Sequence, residues 1–301
     1  MTLRVLVVGR GKVGSALARG LARAGATVAT VSGRAEAPRG TRADLVVLAV
    51  RDASLACWAL KLAPIVGPRR ASVVHCAGAW GLEVLAPVKA AGGTIGQFHP
   101  LLSFADRRRP PELRGARALL RGDPAAVRLA VHVARLLGIV PVRISPRRAF
   151  DAVLYHAAAA LLSNGAVALA NAAADLLAAA GVARAKAPAM LAPLLSSTAT
   201  NLGAAGLPAA LTGPVRRGDA DTVAAHLDRV RLRAPQHTEL MLAIVRGELG
   251  MARALGEAAT PELARIARLV ASRTGASGTG ASRTATPRPK PAKATTPVKR
   301  R

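Results

Sequence analysis

A glycine-rich turn between an apolar run and a helical pattern constrains the fold of this chain more than any other feature. In the stretch VLVVGRGKVGSALARGLARAGATV, residues 5–28, Gly9, Gly11 and Gly14 follow a run of Val and Leu and open an alanine-rich helix. A second apolar run follows at 27–31. Strand, glycine turn, helix and strand in this order are typical of the first βαβ unit of a doubly wound sheet.

Short Val-rich runs alternate with helical patterns through the first half of the chain. Buried parallel strands are continuous apolar runs, and DLVVLAV at 44–50 is one of them. We therefore predict an α/β Rossmann domain with a doubly wound, mostly parallel sheet over residues 1–145. Its strands are predicted near 3–8, 27–31, 44–50, 71–76, 94–98, 116–121 and 139–143, and its helices near 13–24, 53–62, 82–91 and 124–137.

The strand pattern stops near residue 146, and long helical patterns replace it. We predict an all-α helical-bundle domain over residues 146–271. Its helices are predicted near 148–181, 187–203, 219–232, 235–255 and 260–271. The last segment, 272–301, is rich in Gly, Ser, Thr and Pro without an apolar pattern, and is predicted to be a disordered basic tail.

The formal net charge of +27 raises the question of nucleic-acid binding. Eight of the 43 Lys and Arg residues lie in the tail, which has no acidic residue. Elsewhere the arginines are scattered among alanines, and aromatic residues that could stack on bases make up only 2%. We expect no specific nucleic-acid binding and only weak binding of polyanions by the tail.

The two cysteines, Cys57 and Cys76, lack the spacing of a metal site, so we expect a reduced, cytoplasmic protein without a bound metal. Residues 3–8 are as apolar as a signal peptide, but glycines and charges follow instead of a cleavage site. The longest apolar segment, 152–174, contains polar residues such as His156 and is not expected to span a membrane.

The glycine turn suits a dinucleotide. Gly9 would permit the tight turn, Gly11 the approach of a pyrophosphate, and Gly14 close packing of helix on strand. The alternative is a turn whose glycines serve packing only. The predicted cofactor contacts are Gly9, Arg10, Gly11, Lys12, Val13, Gly14, Ser32, Arg34 and Val50.

The end of the second strand, VATVSGRAE, decides between the two nicotinamide cofactors. An NAD enzyme places an acidic residue there to hold the ribose 2′-hydroxyl. Here Ser32 and Arg34 occupy the position, and a hydroxyl and a guanidinium suit a 2′-phosphate. The sequence favours NADP(H), unless the strand ends later than predicted and brings Glu36 to the ribose.

A histidine follows the strand predicted to end at residue 98. In GQFHPLLSFAD, His99 and Ser103 are expected at the same sheet edge as the glycine turn. We predict an acid-base role for His99 and a substrate contact for Ser103. The alternative for His99 is a loop histidine bonded to the backbone.

Four polar side chains share one face of a predicted alanine-rich helix. At about 100° per residue, His156, Ser163, Asn164 and Asn171 form a stripe that we expect to face a cavity or a partner. An interhelical network that satisfies itself is the alternative. Tyr155, the only tyrosine, could donate a proton and contact substrate, about a quarter turn from His156.

The segment ALTGPVRRGD combines a glycine-proline turn with polar residues. Thr212 and Arg217 are predicted substrate contacts, with Arg216 as an alternative to Arg217 for holding a carboxylate. Asp219 is predicted to cap the following helix.

The order of these parts, and the motifs GRGKVGSAL, HCAGA, FHPLLSF, YHAAAALLSN and LTGPVRRGD, resemble the uncharacterised family that joins a Rossmann-like domain to a domain of unknown function 2520. That family is similar to 6-phosphogluconate dehydrogenase, β-hydroxyacid dehydrogenases, ketopantoate reductase and pyrroline-5-carboxylate reductase. The resemblance covers residues 1–271. It implies an NADP-dependent oxidoreductase with its active site between the domains and a homodimer through the helical half.

One position departs from the related β-hydroxyacid dehydrogenases. Those enzymes carry a proton-transferring lysine four residues before a helical asparagine, whereas Ala160 stands four residues before Asn164 here. Their reaction therefore cannot be transferred to this chain. On this helix, His156 is the group that could replace the lysine.

The leading hypothesis is hydride transfer between NADP(H) and a small carbonyl, imine or hydroxy-acid substrate. His156 is predicted to donate or accept the proton, because an unperturbed imidazole titrates near neutrality. Ser163 and Asn164 would orient the substrate oxygen, and His99 is the rival acid-base group. The alternatives are a non-catalytic NADP-binding or sensing protein, and a protein tethered to nucleic acid or an acidic partner by its tail.

Overall fold

The protein consists of two compact units, residues 1–167 and 168–301. The computed structural model describes residues 2–38, 42–66, 71–145 and 147–274 of the chain. The border between the units lies inside one long helix, α5 (Ala152–Ala179).

The first unit is built on a seven-stranded sheet. Its strands are β1 (Arg4–Val8), β2 (Thr27–Val31), β3 (Leu45–Leu48), β4 (Ser72–His75), β5 (Thr94–Pro100), β6 (Arg117–Gly122) and β7 (Val140–Arg143). They lie in the order β2-β1-β3-β4-β5-β6-β7. All neighbours are parallel except β5 and β6, which are antiparallel.

Helices cover both faces of this sheet. They are α1 (Lys12–Arg23), α2 (Leu55–Val66), α3 (Ala86–Ala90) and α4 (Pro124–Leu136). Because successive side chains of a strand point to opposite faces, Val5 and Val7 of β1 pack with α1 and α4. Leu6 and Val8 pack with α2 and α3 on the other face. Each strand packs against helices on both of its faces and needs apolar side chains on both, which explains why the strands are apolar throughout.

The second unit is helical. It contains the end of α5 followed by α6 (Ala187–Ala205), α7 (Pro214–Arg217), α8 (Ala220–Arg233), α9 (Thr238–Leu255) and α10 (Thr260–Thr274). Helices α7 to α10 share one apolar core, with Leu227, Leu242 and Ile266 among its buried side chains. Helix α6 takes little part in burial, since Ala187 is its only buried residue.

The predicted fold class is confirmed, and most predicted elements end within two residues of the observed ones. Several boundaries differ by more; in the second unit, α9 starts at Thr238 rather than near 235 and α10 ends at Thr274 rather than near 271. The long helix starts at Ala152 rather than near 148, the predicted helix 82–91 is a 3₁₀ turn followed by α3, and α2 continues to Val66.

The predicted tail begins too early at residue 272. Helix α10 continues to Thr274, and Arg273 donates to Asp228 at 2.7 Å, so this arginine belongs to the folded unit. The remainder of the predicted tail, from residue 275 on, lies outside the described residues. The predicted domain border at 145 falls before α5, whereas residues 152–167 of this helix belong to the compact unit of the sheet.

Candidate active site

The glycine turn connects β1 to α1 at the carboxyl edge of the sheet. Gly9 has φ 113°, a conformation that favours glycine, and a Cβ there would overlap the carbonyl oxygen of Ala49. A Cβ on Gly14 would overlap the carbonyl oxygen of Gly9. Folding and packing therefore require glycine at both positions.

Gly11 differs from its two neighbours in this motif. Its φ of −76° and ψ of −167° are open to any residue. No atom lies within 4 Å of the point where its Cβ would stand. The described fold thus gives no reason for glycine at residue 11, and leaves open space directly above its backbone.

The N-terminus of α1 faces this space. Gly11 is its N-cap and therefore supplies no capping side chain, and the first turn contains no acidic residue. The first N–H groups of a helix lack partners within it and attract anions. Lys12 and Val13, both predicted contacts, form the start of this turn. An anionic group such as a pyrophosphate would meet open space and unpaired N–H groups here.

A cationic group lies at the end of β2. Arg10 donates from Nη2 to the carbonyl oxygen of Thr30 at 3.0 Å, which holds its guanidinium at the strand end. Ser32 accepts from the Arg34 backbone N–H at 3.3 Å in the turn that follows. The chemistry of this donor set suits a phosphate.

The turn after β2 is held in place by neighbouring side chains. Trp58 donates to the carbonyl oxygen of Gly33 at 3.0 Å, and Val50 lies 3.1 Å from the Cβ position of Gly33. Glu36, the alternative ribose ligand, pairs with Lys61 at 2.8 Å. Since β2 ends at Val31 as predicted, the condition that would have brought Glu36 to the ribose is not met.

A second group of side chains surrounds His99 on β5. The Nδ1 atom of His99 lies 2.8 Å from the Tyr155 hydroxyl, and the two rings meet edge to face. The rings of His99 and His156 also meet edge to face, with centroids 5.9 Å apart. The structure therefore brings together three predicted site residues, His99, Tyr155 and His156.

Gly78 allows this approach. A Cβ on residue 78 would lie 2.9 Å from Nε2 of His99 and would overlap Nδ1 of His156. Both imidazole nitrogens therefore converge on the backbone of the loop that follows β4. Any larger residue at this position would separate the two rings.

Burial controls the protonation of this group. It lowers the pKa of His99 to about 4, helped by the nearby charge of His156, so His99 is neutral at physiological pH. Burial also raises the pKa of Tyr155, which keeps the phenol protonated. His156, by contrast, is exposed. The site holds two neutral, hydrogen-bonded groups beside one that solvent reaches.

A buried network fixes the loop that carries Gly78. Gln97 is fully buried and donates to the carbonyl oxygen of Ala77 at 2.6 Å. Its Oε1 accepts from Nε of Arg121 at 2.6 Å. The Arg121 guanidinium lies over the ring of Phe150, 4.5 Å from its centroid, and Phe150 packs against Tyr155.

His75, at the end of β4, is fully buried beneath this loop. Neither of its ring nitrogens makes a hydrogen bond of normal geometry among the described residues, although backbone groups of Ala77 and Gly81 lie close enough to interact weakly with the ring. Burial, and secondly the charge of Arg121, lowers its pKa to about 4. This histidine can be accommodated only in its neutral form.

Other predicted residues do not join the His99 group. Ser163 and Asn164 are exposed further along α5, and Ser103 is exposed after β5. Thr212 and Arg217 are exposed in the second unit. Within the described part of the first unit, no hydrogen bond or ring contact links Ser103, Ser163 or Asn164 to the His99 group. The roles of all five residues stay predictions.

The predicted stripe on α5 also continues into the second unit. There Asn171 accepts from Arg184 at 2.7 Å, and Arg184 and His237 both contact Asp175. This end of the stripe forms the self-satisfied network that was the alternative interpretation. Asp219 caps α8 as predicted, accepting from the Thr222 N–H at 3.0 Å.

In the glycine-proline turn, Arg216 forms an ion pair and hydrogen bonds within the protein. It pairs with Glu257 at 2.7 Å and donates to the carbonyl oxygen of Leu211 at 2.6 Å. Its guanidinium thus stabilises the turn, so Arg217 is the better choice for a residue that binds a ligand.

The sequence did not predict three residues of the site, Gly78, Gln97 and Arg121. Gln97 could have been found, because it stands two positions before His99 in a buried strand and hence on the same face.

Two family models match the chain. A model described as a Rossmann-like domain matches residues 38–100, and one described as a domain of unknown function (DUF2520) matches residues 117–246. No curated protein sequence matches.

Solved structures share the fold. A protein of Bacteroides fragilis, described as an NADP oxidoreductase, is 20% identical, with a TM-score of 0.62 over 82% of this chain and 98% of that one. A pyrroline-5-carboxylate reductase of Coxiella burnetii is 16% identical, with a TM-score of 0.54 over 85% and 99%. A reductive aminase of Aspergillus terreus, solved with NADPH and ethyl levulinate, is 18% identical, with a TM-score of 0.52 over 85% and 95%.

Proposed function

Because the chain belongs to the family that joins a Rossmann-like domain to a domain of unknown function 2520, we propose that it is an NADP(H)-dependent oxidoreductase. Its substrate is a small carbonyl, imine or hydroxy-acid compound. The structural relatives named above include one described as an NADP oxidoreductase and one solved with NADPH, which supports a nicotinamide cofactor.

The observation that carries the proposal is the open space above Gly11. Gly9 and Gly14 are explained by contacts within the protein, whereas Gly11 has no atom near its Cβ position. The space lies at the N-terminus of α1, where unpaired N–H groups favour an anion. A pyrophosphate explains both features at once.

The preference for NADP(H) follows from the end of β2. Ser32, Arg34 and the anchored guanidinium of Arg10 would hold a 2′-phosphate, and Glu36 is engaged by Lys61. A carboxylate directed at this point would repel the phosphate, whereas guanidinium groups bind it with charge-assisted hydrogen bonds.

The remaining chemistry belongs to the residues around His99. When bound, NADP(H) supplies or removes the hydride, and the protein must handle one proton. We assign this proton to His99, Tyr155 and His156, and the contacts between these three side chains support the choice. Ser163 and Asn164 are proposed to orient the substrate, and Ser103, Thr212 and Arg217 to contact it. The lysine of β-hydroxyacid dehydrogenases has no counterpart, since Ala160 holds its position.

We expect the purified protein to bind NADPH more tightly than NADH. Arg34→Ala should weaken NADPH binding about 10-fold, because a charge-assisted hydrogen bond contributes about 1.5 kcal/mol or more. NADH binding should change little, since NADH lacks the phosphate. The measurement is a fluorescence titration of each reduced cofactor.

Arg128→Ala is the matched control for this titration, because Arg128 is an arginine of α4, away from the end of β2. A preference for NADH, or equal loss of both cofactors in Arg34→Ala, would contradict the assignment of the 2′-phosphate site. NADPH binding without turnover on keto acids, ketones and imines would favour a sensing protein instead.

We further propose that a second copy of the chain covers the apolar helices α5 and α6. Asp175 is the only Asp, Glu, Lys or Arg among the 28 residues of α5, and α6 has none in 19, although these four residue types make up 20% of the whole chain. Large side chains on both are exposed, with Leu161 at 78% and Leu194 at 62%. An uncharged apolar surface is complementary to itself and marks an interaction site.

A membrane is the other apolar environment to consider. Among the described residues, α5 is long and apolar enough to cross a bilayer by length and composition alone. However, it carries His156, Asn164 and Asp175, and His156 packs against His99. We therefore favour a dimer in the cytoplasm, where the free thiols Cys57 and Cys76 would stay reduced.

Sedimentation equilibrium should give a mass of twice the 30.7 kDa of one chain. Leu194→Glu should shift the mass toward the monomer, because it places a charge on the proposed interface. Leu232→Glu is the control, since Leu232 is 69% exposed on the charged helix α8 and should leave the dimer intact. A monomeric wild-type protein, or one that needs detergent to stay in solution, would contradict the proposal.

A further inference from the structure

His99 lies between Tyr155 and His156, with one ring nitrogen toward each. Its Nδ1 is hydrogen-bonded to the Tyr155 hydroxyl at 2.8 Å, while its Nε2 and the Nδ1 of His156 converge above Gly78. We propose that these side chains form a proton relay, in which Tyr155 delivers a proton to the substrate, His99 re-protonates Tyr155, and His156 exchanges protons with solvent. The inference rests on the proposed hydride-transfer function and orders its proton-handling groups.

The bond between His99 and Tyr155 sets the direction of the relay. A neutral imidazole carries its single proton on one nitrogen. If that nitrogen is Nδ1, His99 donates to the phenol oxygen, and the phenol hydrogen is free to point at the substrate. If it is Nε2, the phenol hydrogen is directed at His99. The relay requires the first tautomer.

The contact between His99 and His156 connects the proton relay to solvent. Their rings meet at a centroid distance of 5.9 Å, and no side chain separates them because residue 78 is glycine. His156 is exposed, whereas His99 and Tyr155 are not. The contact between the two rings is not a hydrogen bond, so a proton that enters at His156 would reach Nε2 of His99 through a water molecule between the two nitrogens.

The surroundings keep the inner members neutral. Burial disfavours the charged forms of both His99 and Tyr155. Phe150 packs against Tyr155 and carries the guanidinium of Arg121 on its ring. A short-lived negative charge on the phenol oxygen would be discharged by the Nδ1 proton of His99.

The proton balance for reduction is as follows. When a hydride reaches the electrophilic carbon of a C=O or C=N group, the π electron pair moves to the oxygen or nitrogen. The O–H bond of Tyr155 breaks, and its proton bonds to that atom. The Nδ1 proton of His99 then moves to the phenol oxygen, and Nε2 of His99 takes a proton from solvent through His156, so that His99 now carries its proton on Nε2. Exchange of the ring protons with solvent, with one lost at Nε2 and one gained at Nδ1, restores the starting tautomer before the next reduction. Oxidation of the product starts from the Nε2–H tautomer and runs through the same steps in reverse.

The test uses nuclear magnetic resonance of the full-length, ¹⁵N-labelled protein without cofactor. Long-range ¹H–¹⁵N spectra at neutral pH identify which ring nitrogen of His99 carries the proton, and the His99→Gln variant identifies its signals by their loss. We expect the proton on Nδ1. A proton on Nε2 would overturn the relay, because the phenol hydrogen would then be committed to His99.

The same spectra test the solvent end. As the pH is lowered from neutrality, and before His99 itself is protonated, the Nε2 signal of His99 should shift in the wild type and in the control variant His132→Gln, but not in His156→Gln. An Nε2 signal that does not respond in the wild type would remove His156 from the relay. Because no cofactor is present, a wrong tautomer with intact NADPH binding rejects the relay alone. Loss of NADPH binding with the expected tautomer rejects the proposed function alone.

Discussion

Gly11→Ala should fold like the unchanged protein and bind NADPH about 100-fold more weakly. Its backbone angles suit alanine, and no protein atom lies within 4 Å of the new methyl group, so the fold should accept it. The methyl group would instead occupy the space proposed for the pyrophosphate. Forced overpacking costs about 1–3 kcal/mol, and about 2.7 kcal/mol corresponds to a factor of 100.

Two further variants make this result specific. Gly9→Ala should be severely destabilised, because alanine at φ 113° is strained and its methyl group overlaps the Ala49 carbonyl oxygen. Gly250→Ala adds the same methyl group to open space on α9 and should change neither cofactor binding nor folding adversely. Thermal melts and NADPH titrations provide both readouts. Equal NADPH affinity in Gly11→Ala and the wild type would contradict the proposed site.

Acidification should destabilise the protein sharply through His75. A histidine whose pKa is lowered to about 4 in the folded state, from about 6.5 when unfolded, binds its proton only after unfolding across that interval. Its contribution to stability is complete above about pH 6.5 and falls by about 1.4 kcal/mol per pH unit below it. The loss ends near pH 4, after about 3 kcal/mol. His99 acts in the same direction.

Urea unfolding at several pH values measures this effect. His75→Leu should reduce the slope between pH 6.5 and 4 by about half, because it removes one of two buried histidines with the same lowered pKa and leaves His99 in place. At pH 7 its stability should stay within about 1 kcal/mol of the wild type, because it removes no hydrogen bond. His132→Leu, a change of an exposed residue on α4, should retain the full slope. An unchanged slope in His75→Leu would show that His75 is not the group responsible.

Periodicity and glycine spacing were sufficient to predict the sheet, because each strand is apolar on both faces and each helix starts at a recognisable turn. The same logic placed His99 at the carboxyl edge, since parallel strands share it. Gly78 could not be interpreted from sequence, because its reason lies in two rings, of His99 and His156, that arrive from distant segments. Glycine at residue 78 matters because it has no side chain that would separate the two rings.

The polar stripe on α5 shows a different limit of prediction from the sequence. Helical spacing correctly placed His156 and Asn171 on one face, but a helix rises about 1.5 Å per residue. The two side chains are therefore separated by about 22 Å along α5. One small-molecule site does not extend so far, and the ends of the stripe serve different units. Tyr155 joins the His99 group despite lying off the stripe, because adjacent residues of a helix can both reach one ring.

At residue 11, stability favours alanine and cofactor binding favours glycine, because no protein atom surrounds the Cβ position. Alanine would restrict the unfolded chain and cost the fold nothing, so it would raise the free energy of unfolding. A laboratory selection for heat resistance alone should therefore replace Gly11 early, while leaving Gly9 and Gly14 unchanged. The selected variants would have a higher free energy of unfolding and would bind the cofactor more weakly. Retention of glycine at residue 11 therefore indicates that a ligand binds there.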